Sequence, residues 1–238
     1  MVSYRIWRIN SALTVSRTLI NSANKRIESF FKGDGEITKS EHHACVNAIK
    51  CQADELVVHK FSLLGTKIST GKEIHWQKDY KSNYIWEPIF YKDIDYRDYE
   101  KKYDIKVPWE LSRFQHLVTL GQAYQFTSDE KYAKEFISQI QDWIDKNPIG
   151  YGVNWVCTME VAIRAINWIR VYLLFAGSAL LTDDFLVKFF RSLYMHGIHV
   201  RNNLEWNSGN TTNHYLADIV GLVFLGSFFS DTREGRKW

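Results

Sequence analysis

Lys106-Val107-Pro108-Trp109-Glu110-Leu111-Ser112-Arg113-Phe114-Gln115-His116-Leu117 is where regular helical spacing takes over in this chain. Proline is well placed at a first helical position, because its missing N–H is not needed there. On a 3.6-residue period Trp109, Arg113, His116 and Leu120 share one face, and Leu111, Phe114 and Val118 share another. One stripe therefore carries an aromatic plate, a guanidinium fork and an imidazole. An arginine fork suits a carboxylate, and an indole face suits a sugar ring. The plainer alternative is a helix buried all round, with Arg113 tied to a nearby acid.

Downstream the same pattern repeats. Thr127-Ser128-Asp129-Glu130 is a cap signal for a helix reaching Lys146, with Phe136, Ile140, Trp143 and Ile144 as its apolar stripe and Asn147-Pro148 as its stop. A turn-rich joint, residues 147–155, contains Asn154 and Trp155 and leads into a helix from about Cys157 to Phe175. There Glu160 and Arg164 form an i, i+4 pair, worth only a few tenths of a kcal/mol if exposed. Thr182-Asp183-Asp184 caps the next helix, to about Leu204. Asn207-Ser208-Gly209-Asn210-Thr211-Thr212-Asn213-His214 then opens onto the apolar run Tyr215 to Phe229. Thr211, Thr212 and Asn213 are all candidate N-caps. A helix start exposes unpaired N–H groups and positive dipole, so an amide and an imidazole there suit an anionic ligand. The plainer alternative is that Asn213 only caps and His214 only packs.

Helices of roughly 15–20 residues joined by short loops, without strand signals from 108 to 229, predict an all-α fold of antiparallel helical hairpins, in a bundle or round an axis. Upstream, residues 1–57 read as a helical leader, with one helix over 3–32 and another from about Ser40 to Leu56. Residues 58–107 read as an irregular aromatic arm, either a lid or a wrap over the helices. The domain reading is therefore 1–57, 58–107 and 108–238.

The totals narrow the class. The 238 residues are 45% hydrophobic, enough for a sizeable core, and 13 Gly and 3 Pro favour long helices. A net charge of +3 suits an anionic partner, but no basic run points to nucleic acid. Three cysteines give no disulfide framework. His42, His43 and Cys45 have no second ligand cluster, so no metal is expected, nor any other cofactor. No stretch reaches the ~18–20 apolar residues of a membrane helix, and the start lacks a secretory pattern, so localisation stays open.

The Lys106–Leu117 string, Gly152-Val153-Asn154-Trp155, Glu160 to Trp168, and Asn213-His214-Tyr215-Leu216-Ala217-Asp218 together resemble the N-terminal helical domain of the heparinase II/III and alginate-lyase-like polysaccharide lyases. The likeness runs from about Phe61 to Trp238. It implies a partial (α/α) toroid and β-elimination on uronic-acid polysaccharides. Removing the C5 hydrogen beside a carboxylate piles charge on an anion. An enzyme must neutralise that carboxylate, supply a base and protonate the leaving oxygen. The resemblance gives the first task to Asn213 and makes His214 a base or carboxylate partner. Arg113 and His116 would line the cleft. Asn154, Trp155, Glu160 and Arg164 would position substrate or brace the site.

The resemblance also implies a catalytic Tyr on a later helix, and a second His in a β-sandwich domain. Both are expected beyond Trp238, so this chain is expected to be inactive alone. Many relatives are exported, often to the periplasm. Two rivals remain. A toroid glycoside hydrolase needs paired carboxylates, for which Glu110, Glu160 and Asp218 are the candidates. A non-catalytic glycan-binding or scaffold module would keep Trp109 and Arg113 yet survive loss of His214.

Overall fold

A computed structural model describes residues 39–96, 103–206 and 212–238. The helix expected over 3–32 and the turn at 207–211 lie outside them. Seven α-helices are described: α1 Lys39–Val57, α2 Lys106–Ser112, α3 Gln115–Thr127, α4 Glu130–Lys146, α5 Thr158–Phe175, α6 Asp183–Asn202 and α7 Asn213–Phe228. Among the described residues the only sheet is a two-stranded antiparallel hairpin, β1 Lys60–Leu63 with β2 Thr66–Ser69, Phe61 facing Ile68.

The helices form two rows. In one row α1 packs on α3, α3 on α5 and α5 on α7. In the other α4 packs on α6, and the rows join through α3–α4, α5–α6 and α6–α7. Alternation of successive helices between two rows is the arrangement of an arc of (α/α) toroid, built from hairpins with short links.

Local chemistry sets the boundaries. Asp129 accepts from the Lys131 N–H at 3.0 Å, and Thr182 accepts from the Phe185 N–H, as their cap spacing predicts. α5 is mostly buried between its neighbours. It approaches α7 closely at Gly221, where a β-carbon would stand 2.7 Å from Ala162 Cβ. No bulkier residue fits there without separating the two helices.

One expectation fails at the stretch that opened the sequence reading. Lys106–Leu117 is not one helix. The chain breaks between α2 and α3, where Phe114 takes a left-handed conformation at φ 59°. That costs a non-glycine residue roughly 1–2 kcal/mol. The ring is completely buried, with centroids 5.1 Å from Trp76, 5.7 Å from Trp168 and 6.1 Å from Trp143. Burial of a phenyl ring is worth about 1.5–3 kcal/mol, enough to offset the strain. The Arg113 carbonyl, freed by the break, accepts from Asn167 Nδ2 at 2.8 Å. The predicted stripe is therefore divided: Trp109 lies on one side of the break, His116 and Leu120 on the other.

The aromatic segment wraps the helices. Trp76 is buried and donates from Nε1 to Asp142 at 2.8 Å, tying the segment to α4. Tyr91 is also buried, and its hydroxyl donates to Asn203 Oδ1 at 2.6 Å, past the end of α6. A bridge between Phe90 and Tyr151 binds it to the joint before α5.

Candidate functional site

The start of α7 presents the Asn-His pair. Thr212 occupies the N-cap position with extended backbone and makes no side-chain cap bond. Asn213 is therefore the first helical residue and not the cap. Its side chain is exposed, and its amide makes no hydrogen bond to a described residue. His214 follows, partly exposed, with Nδ1 3.2 Å from Glu205 Oε1. A carboxylate accepts there from Nδ1–H, which leaves Nε2 with the lone pair.

Glu205 is held firmly. Its Oε2 accepts from the Met159 N–H at 2.9 Å, so the carboxylate caps the start of α5. Its backbone N–H donates to Asp218 Oδ2 at 2.8 Å, one turn along α7 from His214. The Thr158 hydroxyl donates to the Asn203 carbonyl at 2.7 Å, fastening the same connection. Asp218 is fully buried, and burial, then the nearby Glu205 charge, pushes its carboxyl up to about 6. Cys157, the N-cap of α5, sets its Sγ 3.7 Å from Glu205 Oε2 and 3.9 Å from His214 Nδ1. Burial, with Glu205 adding to it, raises this thiol to about 12.

Arg113 does not offer a free fork. Its Nε and Nη2 donate to the two oxygens of Glu160 at 2.6 and 2.7 Å, and Nη1 donates to Glu110 at 2.7 Å. These contacts with Glu160, above all, raise the Arg113 pKa. The acid expected to pair with Arg164 is thus taken by a residue of another helix.

Arg164 is 1% exposed and turns the other way. Its Nε donates to His196 Nε2 at 2.9 Å, and Nη2 donates to the Asn154 carbonyl at 3.0 Å. The guanidinium carbon lies 4.4 Å from the Trp143 ring centre and 5.2 Å from that of Trp155. Burial lowers Arg164 to about 9, still charged at neutral pH. His196 donates from Nδ1 to the Ser192 carbonyl at 2.7 Å, which makes Nε2 the acceptor that Arg164 needs.

Asn154 and Trp155 are also fully buried. Asn154 Nδ2 bridges the Trp76 carbonyl and Asn147 Oδ1. Asn154, Trp155, Glu160 and Arg164 are thus all buried, facing neighbouring protein groups. Trp109 is half-buried and donates from Nε1 to the Val153 carbonyl at 2.8 Å, fixing the joint before α5. His116 contacts Gln139 at 2.7 Å and opens onto a cavity of about 610 Å³ with Phe61, Glu110 and Thr119. Its neighbours are distinct from those of His214.

Glu205 and Cys157 were not singled out from the sequence. Glu205 precedes His214 by nine residues across a turn-rich stretch, a spacing with no helical or strand period. Only the return of the chain brings the two together.

The family model described as Heparinase II/III N-terminus matches residues 11–238. A heparin-sulfate lyase of Bacteroides stercoris is 29% identical over 167 residues, covering 62% of this chain and 24% of that protein. A heparin-sulfate lyase of Pedobacter heparinus is 29% identical over 152 residues, covering 62% and 22%. The chain thus spans about a quarter of the length of these curated relatives. Among solved structures, heparan sulfate lyase HepC from Pedobacter heparinus superposes with a TM-score of 0.66 at 23% identity, over 92% of this chain and 32% of that one. The heparinase III BT4657 gene product gives 0.62 at 23%, over 92% and 33%. These likenesses carry the fold, and the match over almost the whole length carries the family: this chain belongs to the heparinase II/III N-terminal domain family.

Proposed function

We propose that this chain supplies the carboxylate-binding half of a polysaccharide lyase site that cleaves an acidic, uronate-containing glycan by β-elimination. The observation that carries the reading is the exposed Asn213 amide beside His214 at the start of α7, with His214 oriented by Glu205. The amide and the helix N-terminus would take the uronate carboxylate and stabilise the charge that grows as the C5 proton leaves. His214 Nε2 would accept that proton or contact the carboxylate. Arg113, Glu160, Arg164, Asn154 and Trp155 act as positioning residues, holding α2, α5 and the joint between them. Trp109 holds the joint, and His116 contributes to a cavity. Completion of the reaction also needs an acid for the leaving oxygen. The relatives named as heparin-sulfate lyases favour a sulfated glucosaminoglycan substrate.

The glycoside hydrolase reading is weaker on two grounds. Glu110 and Glu160 are both bound by Arg113, and Asp218 is fully buried. The test is the product of the whole protein acting on heparan sulfate. A lyase leaves an unsaturated uronate that absorbs in the ultraviolet. A hydrolase leaves saturated reducing ends, and a binding module leaves the polymer intact; either result sinks the proposal.

A further inference from the structure

We infer that Cys157, Glu205 and His214 form a binding site for a borderline-soft divalent cation, with Zn²⁺ as the best fit. Among the described residues these three are the one group of His, Cys and carboxylate side chains whose ligand atoms all lie within 4.8 Å of one another. The triangle has the right proportions. A tetrahedral zinc bound to sulfur at ~2.3 Å and to nitrogen and oxygen at ~2.0–2.2 Å sets sulfur roughly 3.5 Å from each and the other two roughly 3.3 Å apart. Here Sγ lies 3.9 Å from both His214 Nδ1 and Glu205 Oε1, and Nδ1 lies 3.2 Å from Oε1. Closing the difference takes side-chain shifts of a few tenths of an ångström.

The donors suit zinc by type as well as by distance. A thiolate, an imidazole and one carboxylate oxygen are a borderline set; magnesium or calcium would want more oxygens. Binding releases the thiol proton to solvent. The thiolate and carboxylate then balance the two positive charges, His214 binds neutral through Nδ1 with its proton on Nε2, and water takes the fourth position. The ligands are also supported from outside. Glu205 keeps Oε2 on the Met159 N–H while Oε1 faces the other two, and Asp218 holds the Glu205 backbone. Such outer contacts fix ligand direction in metal sites. Cys157 is buried while His214 is partly exposed, so an ion has an approach from one side.

Resting on the lyase reading, a second consequence follows: the bound ion engages His214 and competes with the uronate, so zinc inhibits the enzyme. The primary test needs no substrate, and so fails or succeeds separately from that reading. Cys45 and Cys51, both exposed on α1, are first changed to Ser to remove competing thiols. One equivalent of Co²⁺ added to this chain should then give a thiolate-to-cobalt charge-transfer band and intense tetrahedral d–d bands, both abolished by Zn²⁺. Cys157→Ser should abolish the charge-transfer band, and Glu205→Gln should weaken cobalt binding at least about tenfold. Where Cys157→Ser does not fold, His214→Ala at the partly exposed position carries the same test through loss of the tetrahedral bands. Absence of the bands in the parent chain, or their survival in these variants, overturns the proposal and leaves the thiol as a weak donor to Glu205.

Discussion

Glu205 and His214 lie 3.2 Å apart although Glu205 stands three residues past the end of α6 and His214 in the first turn of α7. The same carboxylate caps α5, so three elements meet at one side chain. In the whole enzyme, assayed free of divalent metal, Glu205→Gln should keep the cap through its amide oxygen but lose the charge beside His214. The expected result is a kcat reduced roughly 10–100-fold with melting temperature nearly unchanged. Unchanged turnover would mean that His214 acts without this support, or not at all.

Asn213→Ala in the whole enzyme should lower kcat by roughly 10²–10³-fold, with a smaller effect on KM, because its contact strengthens toward the transition state. Thr212 holds the cap position, so stability should hardly change. Asn213→Ser should remain slow, since its side chain is too short to place an amide on the carboxylate. A serine variant with full turnover, followed by ultraviolet absorbance, would remove Asn213 from the site.

Arg113→Ala strands Glu160, whose side chain is only 3% exposed. Loss of one partner of a buried pair costs about 3–5 kcal/mol, and the effect should be read as a lower denaturant midpoint. Adding Glu160→Gln should recover part of that loss. Equal stability of the parent and Arg113→Ala would show that the pair is solvated.

Gly221→Ala should destabilise by about 1–3 kcal/mol, because the new methyl meets Ala162 at the α5–α7 crossing. Ala162→Gly in the same chain should relieve most of it. Strictly additive effects in that double-mutant cycle would contradict the close approach.

Acid should destabilise the chain through buried neutral histidines. Burial lowers His116 to about 4, His199 to about 3 and His196 well below its ordinary value of 6.5. Below about pH 6.5 the unfolded chain takes these protons and the folded chain does not, so stability falls as pH drops toward 4. Each contributes up to about 1.4 kcal/mol per pH unit. His196 and His199 should dominate, since His116 opens onto a cavity. Asp218 works the other way between about 6 and 3.8, as its folded carboxyl binds the proton first. His59, raised chiefly by its bond to Glu135, adds stability that is lost as pH rises through its folded value. Three protons against one leave a net loss from pH 6 to 4, measurable by urea titration at each pH. A flat profile would mean that water reaches these rings.

Most of the helices and their order can be read from the residues alone; the break at Phe114 cannot. Cap residues such as Asp129 and Thr182, and apolar spacing such as Phe136, Ile140 and Trp143, act within a few residues, so their effect is local and legible. The family motifs marked Asn213 and His214 for the same reason: they sit together in one turn. Which side chains pair with which came from packing between distant segments. Arg113 keeps Glu110 of its own helix, and with the chain broken at Phe114, whose ring is buried among Trp76, Trp143 and Trp168, it also reaches Glu160 of α5. Glu160 then left Arg164 to His196, a contact 32 residues away. Glu205 reached His214 and Cys157 because α5, α6 and α7 pack together at one end. Such pairings depend on where burial places competing charges, and no local period in the chain records that competition.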